Sequence, residues 1–201
     1  MDTPAPAQPP AVVGARQALL TAAVAELAEH GHAGISLRAV ARRAGLSHAA
    51  PKHHFDDRAG LLTAVATQGF LDLAETLGAV DAGDPEAQLA ALGAAYIDFG
   101  LAYPALFDLM FRTVELDSDD TALREAQQSA IGFLAAAAGR MGGPDPMPPS
   151  TLTVMAWALV HGLVVLARDG SLRDPGAGRD PAATPVLAHS IAATFSRLAA
   201  R

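Results

Sequence analysis

The sequence predicts an all-α protein, with a three-helix bundle at the N-terminus followed by a larger helical region, about nine helices in all. Three observations carry this. Alanine and leucine dominate a chain that is 51% hydrophobic but only 5% aromatic, and both residues favour helix. Runs of β-branched residues are scarce. Apolar residues recur at steps of three and four between well-spaced Gly, Pro, Ser and Asp breaks.

Residues 1–11 are rich in proline and alanine and lack both a basic start and a continuous apolar stretch. They read as a flexible tail rather than a secretion signal. The first helix covers 12–30, with Val13, Ala18, Leu19 or Leu20, Ala23, Val24 and Leu27 on one face, and Gly31 and Gly34 stop it. Ser36 caps a second helix, Leu37 to Ala44, which Gly45 ends in a left-handed conformation. Ser47 caps a third, running to Phe55, with Pro51 in its first turn, where a missing N–H costs little. Asp56 or Asp57 caps a long fourth helix with Leu62, Val65, Gly69, Leu73, Leu77 and Val80 along one face.

The stretch 81–85 breaks the chain. The next helix carries Leu89, Leu92, Tyr96, Phe99 and Tyr103 at steps of 3, 4, 3 and 4. Pro104 opens a short helix, and another spans 119–140. Residues 151–167 carry no formal charge over 17 positions. That length is marginal for a bilayer span of about 20 residues, and Thr151, Thr153 and His161 interrupt it. A buried core or subunit-interface helix is expected, with no membrane partner. The last helix, 183–200, has Val186 or Leu187, Ile191, Phe195 and Leu198 on one stripe.

A net charge of −7 at first argues against a nucleic-acid partner, but it is unevenly spread. Residues 1–58 hold six basic and five acidic side chains, whereas the remaining 143 hold eight basic and sixteen acidic. Four basic residues and no acid lie between Ser36 and Phe55. A basic face on an acidic body binds a polyanion at one end only. The absence of cysteine removes disulfides and thiolate metal sites and fits a cytoplasmic protein.

The segment ISLRAVARRAGLSHAAPKHHFDDRAGLL joins two short capped helices through the tight turn AGLS. Ala41 lets them cross closely, Val40 and Leu46 close the space between them, and Phe55 anchors the end. This is the helix-turn-helix plan, whose second helix enters the major groove.

With those residues in view, the chain resembles the tetracycline-repressor (TetR) family of regulators. The match rests on ISLRAVARRAGLS, then HHF, then a basic residue three positions on, with the preceding G-x-x-G-I-S, over residues 12–70. AYPALFDLMF and AWALVHGL, with Trp157 and His161-Gly162, resemble the branch of that family with a Trp-His-Gly C-terminal domain. The resemblance implies a helix-turn-helix domain at 12–58 and a ligand-binding and dimerisation domain at 59–201. It places Arg38 near DNA, Ser47, His48, Ala49 and Ala50 at base edges, and Lys52, His54 and Arg58 on phosphates. Ser36 and His53 complete the expected interface. Many relatives carry tyrosine where this chain has Lys52, so the contact there is changed. The two serines offer hydroxyls, His48 a base-edge hydrogen bond, and the alanines contact with a thymine methyl.

One helix-turn-helix reads only a few base pairs, so such proteins pair to read two half-sites of a double-stranded operator. Residues 151–167 and 183–200 are the expected homodimer surfaces. The larger side chains of the second domain are plain core or, as the resemblance implies, partly the lining of an apolar effector pocket. Phe70, Tyr96, Phe99, Tyr103, Phe107, Met110, Phe111, Trp157 and His161 are the candidates. The function expected is a ligand-responsive repressor with no cofactor, released by a small apolar or amphipathic effector. A regulator without such a ligand would instead have a filled core.

No metal site is expected. His48, His53 and His54 are three histidines on a short surface helix, a pattern that more often serves other roles. No catalytic site is expected either, because nothing in the spacing brings Asp98, Asp108 and His161 together.

Overall fold

The computed structural model describes residues 12–141, 147–172 and 183–200, and every regular element in them is helical. The expected tail at 1–11 lies outside them. The elements are α1 (Val12–Gly34), α2 (Leu37–Arg43), α3 (Ala50–Phe55), α4 (Arg58–Gly78), α5 (Pro85–Ala102), α6 (Pro104–Met110), α7 (Thr121–Arg140), α8 (Pro149–Arg168) and α9 (Ala183–Ala199).

The N-terminal helices form as their end signals predict. Gly31 adopts φ 67°, ψ 173° and breaks α1 before its last turn. Ser36 accepts a hydrogen bond from the Ala39 N–H at 3.2 Å, and Gly45 takes φ 67° after α2. Leu19, Leu27, Val40 and Phe55 are buried in one core with Leu61, Leu62 and Val65 of α4, and Ala41 is buried as well. The third helix differs from expectation. It starts at Ala50, not after Ser47, and has no side-chain cap. The Ser47 carbonyl instead accepts from the Ala50 N–H at 3.0 Å. Pro51 has no N–H to close an α-helical bond to the Ser47 carbonyl, so no α-helical turn begins at Ser47.

Asp57, rather than Asp56, caps α4, accepting from the Gly60 N–H at 2.9 Å. Asp56 sits at φ 60°, ψ −59°, and the Asp57 N–H donates to the Phe55 carbonyl at 2.6 Å. This is a γ-turn, a rare and strained corner. It sets the angle between α3 and α4.

In the larger part, α5 lies against α7, α8 and α9, while α4 packs on α6 and α7. α5 buries Leu89, Leu92, Tyr96 and Phe99 as the stripe predicts, but Tyr103 is 53% exposed. The helix has already ended, and the chain bends by 108° into α6. Pro104 causes this, since it cannot donate to the preceding turn and clashes with it.

Gly100 marks a close approach of α5 to α8. A Cβ there would lie 2.6 and 2.9 Å from the two methyls of Val164 and 3.1 Å from Phe107. Gly100→Ala is therefore expected to cost about 1–3 kcal/mol by overpacking, read as a lowered Tm; an unchanged melt would contradict this packing.

α8 has the length and apolarity to cross a bilayer, with 20 residues and a mean hydropathy of 1.8. Here one face, including Leu152, Ala156, Leu163 and Val164, is buried against α5, α7 and α9. The opposite face leaves Val154, Met155, Val165 and Leu166 exposed, and on α9 Val186 and Leu198 are exposed as well.

Candidate nucleic-acid interface and internal cavity

The turn before α3 and the outer side of α2 and α3 carry the residues expected at DNA. Ser36, Arg38, Ser47, His48, Ala49, Lys52 and His53 are exposed, and Ala50 and His54 are half-buried. His54 leans on Phe55, and Arg16 covers the same ring from α1, 5.5 Å from its centre.

The four basic residues of this segment divide by partner. Arg43 pairs with Glu26 at 2.6 Å and grips both carboxylate oxygens of Glu29. Those bonds hold the Glu29 carboxyl below its ordinary pKa. Arg43 thus ties α2 to α1 and covers the buried Glu26. Arg38, Arg42 and Lys52 have no ion-pair partner among the described residues and face solvent. The local positive field comes from these three.

Arg58, expected on a phosphate, also has partners within the chain. Its guanidinium donates to the carbonyls of His32 and Ile35 and, at 3.2 Å, to the Glu115 carboxylate. Those partners come from the end of α1, the link after it and the segment before α7, so this partly exposed arginine fastens the N-terminal helices to the rest of the chain. His32 Nδ1 lies 2.6 Å from the other Glu115 oxygen, close enough for an ion contact but off the line of a hydrogen bond. Glu115 stands in a short three-ten turn, Thr113–Glu115, between α6 and α7. Two residues on, the Asp117 N–H donates to buried Thr63 of α4 at 2.9 Å. The segment 113–117 is thus pinned to α4 and to the end of α1 at once.

The same segment borders a cavity of about 400 Å³ enclosed by α4, α5, α6, α7 and α8. Of the sequence candidates, Phe70, Tyr96, Met110, Phe111 and Trp157 line it. Phe99, Phe107 and His161 stand behind the wall, and Tyr103 lies outside on the surface. His161 still bears on the site. Its Nδ1 is 3.0 Å from the Tyr96 hydroxyl, which also accepts from the Trp157 indole N–H at 3.3 Å. Burial lowers the His161 pKa and raises that of Tyr96, keeping both neutral at pH 7. Phe107 stacks on the His161 ring at 5.2 Å and fixes its plane.

Sequence reasoning missed Thr113, Arg124, Gln127 and Gln128, the polar part of the lining. The last three sit at i, i+3 and i+4 on α7 and share a face. In sequence, that pattern is indistinguishable from a solvated helix surface. The acid–base candidates do not assemble: Asp98 pairs with His189, Asp108 with Arg168, and His161 with Tyr96.

Two family models match the chain. One, for bacterial regulatory proteins of the tetR family, covers residues 19–65; the other, a tetracyclin repressor-like C-terminal domain, covers 89–191, just over half the chain. The chain belongs to the TetR family. Its architecture is that of a TetR regulator, with an N-terminal helix-turn-helix domain and a C-terminal helical domain, and it is a DNA-binding regulator.

A protein of unknown function from Rhodococcus sp. RHA1 is 33% identical, with 93% of this chain and 96% of that one covered and a TM-score of 0.78. More distant TetR-like folds include FadR from Bacillus subtilis in complex with stearoyl-CoA. It is 13% identical over 89% of this chain and 96% of that one, with a TM-score of 0.67. LfrR from Mycobacterium smegmatis in complex with proflavine is 20% identical over 92% and 96%, with a TM-score of 0.64. Among curated proteins no sequence matches.

Proposed function

We propose that this TetR-family chain is a ligand-responsive repressor that binds a palindromic operator as a homodimer and lets go when a small apolar or amphipathic molecule fills the cavity. A head of residues 12–58 contacts DNA, and a body of 59–201 senses the ligand and dimerises. The observation that carries the reading is the continuity between cavity and head. Phe111 and Thr113 line the cavity, and Glu115, two residues on, holds Arg58 and His32. A ligand that displaces segment 111–117 changes how the head sits on α4, and with it the spacing of two heads on two half-sites. The FadR and LfrR complexes support ligand binding within this fold. A cavity of this size among the large side chains also favours this reading over a regulator with a filled core.

In this reading Arg38 and Lys52 hold phosphates, with His54 beside them. Ser47, His48, Ala49 and Ala50 meet base edges, flanked by Ser36 and His53. The exposed apolar residues of α8 and α9 pack on those of a second copy in a four-helix interface. The test is a selection of bound sequences from random DNA, followed by titration of the selected operator with and without candidate ligands. Coupling of about 1–3 kcal/mol would change operator affinity roughly 5- to 150-fold. Identical affinity with and without a tightly held cavity ligand would sink the sensor.

The junction has its own expected result. Glu115→Gln removes the anion shared by Arg58 and His32, a partly exposed pair worth about 1 kcal/mol after solvent screening. Amide exchange in α2 and α3 should then quicken about fivefold, with exchange in α5 and α9 unchanged. Unaltered exchange throughout would show that Glu115 does not seat the head.

A further inference from the structure

We propose that the cavity selects an amphipathic carboxylate, its apolar body enclosed by α4, α5, α7 and α8 and its acid group at the rim on Arg124. This rests on the sensor reading and names the chemistry of its ligand. The interior offers no donor that is looking for a partner. Trp157 donates to the Tyr96 oxygen, and Tyr96 lies within hydrogen-bond distance of His161 Nδ1. With the indole proton already on the phenol oxygen, the arrangement that pairs every donor facing the cavity has Tyr96 donating to an unprotonated Nδ1. The rest of the inner wall is Phe, Leu, Ile, Val, Met, Ala and Gly. An apolar body is therefore at home inside, and a second polar end is not.

The rim has the opposite character. Arg124 is the single charged residue of the lining, which holds no carboxylate, and Gln127, Gln128 and Thr113 are its polar companions. Arg124 is exposed and makes no ion pair among the described residues. Residues 59–201 carry twice as many acids as bases. In so acidic a body, an arginine that forms no ion pair at the mouth of an apolar cavity is placed for an incoming anion. Its planar fork matches a carboxylate in two parallel hydrogen bonds, and the glutamine amides add further donors. Repulsion by the surrounding acids is thereby offset at this point alone. The cavity volume falls at the low end of the range for small-molecule sites, which suits a single medium-length chain.

Trp157 is the only tryptophan and lines the cavity, so its emission reports occupancy directly. The full-length protein is titrated with decanoate, 1-decanol and decylamine at monomeric concentrations. Decanoate should bind about tenfold tighter than decanol, with decylamine weakest. In Arg124→Gln, decanoate should fall to the level of decanol while decanol binds as before. Arg124 is a surface residue of α7, and a thermal melt of the variant verifies that the fold is kept. Equal binding of acid and alcohol by the wild type overturns the proposal, as does an equal loss of both in the variant. Either outcome leaves the sensor reading standing, because a ligand still occupies the cavity. If none of the three alters Trp157 emission, the proposal also falls, and the operator titrations decide the sensor reading separately.

Discussion

Arg38→Ala and Lys52→Ala are each expected to weaken operator binding by about 10- to 150-fold while leaving the melting temperature unchanged. Both side chains project into solvent from α2 and α3, and neither has an ion-pair partner among the described residues. Their removal therefore takes away nothing the fold uses. A hydrogen bond to a charged group contributes about 1.5–3 kcal/mol, which sets the expected range. A lost phosphate contact weakens every DNA sequence alike and makes the salt dependence shallower by about one unit of slope. Affinity measured at several salt concentrations, on selected and scrambled DNA, therefore separates phosphate contacts from base reading. Wild-type binding by both variants at physiological salt would defeat the placement of DNA on this face.

Gly60→Ala is expected to be the most damaging small substitution in the N-terminal half. A Cβ at Gly60 would stand 2.1 Å from the Phe55 carbonyl oxygen and 3.2 Å from its carbon. The obstacle is backbone, so no side chain can rotate out of the way. The same carbonyl accepts the γ-turn hydrogen bond at Asp56, and the Gly60 N–H is the one that Asp57 caps. An added methyl must therefore open the corner between α3 and α4. The expected cost is about 3 kcal/mol or more, or a Tm lowered by about 6–12 °C for a chain of this size. Operator affinity should fall with it, because the corner aims α3. A Gly60→Ala protein with wild-type melt and affinity would mean that the corner is not as tight as described.

Much of this fold was legible before any coordinates. Ser36, Gly45, Asp57 and Pro104 act within a turn of themselves, through a cap, a left-handed residue or a missing donor, and the chain ends or starts helices at those points. The apolar stripes of α4 and α5 likewise placed their buried faces correctly, because period and burial are tied in a helix. Errors arose where local signals competed. Ser47 has the chemistry of a cap, but Pro51 moved the helix start to Ala50. Tyr103 continues the α5 stripe in register, yet the proline after it turns the chain away and leaves the ring on the surface.

The cavity and the charge pairing were of another kind. Trp157 and Tyr96 stand 61 residues apart in sequence, and their hydrogen bond exists only because α5 and α8 lie side by side. Arg58 reads in sequence as one more basic residue beside a DNA-reading helix. Its partner Glu115 is 57 positions away, and only folding brings the two together. The helices, their ends and the helix-turn-helix follow from interactions spanning a few residues. Which large side chains line a void, which arginines remain free for an anion and how the cavity meets the DNA-binding end depend on packing between helices distant in sequence. No periodicity encodes that, and the tertiary structure alone decided it.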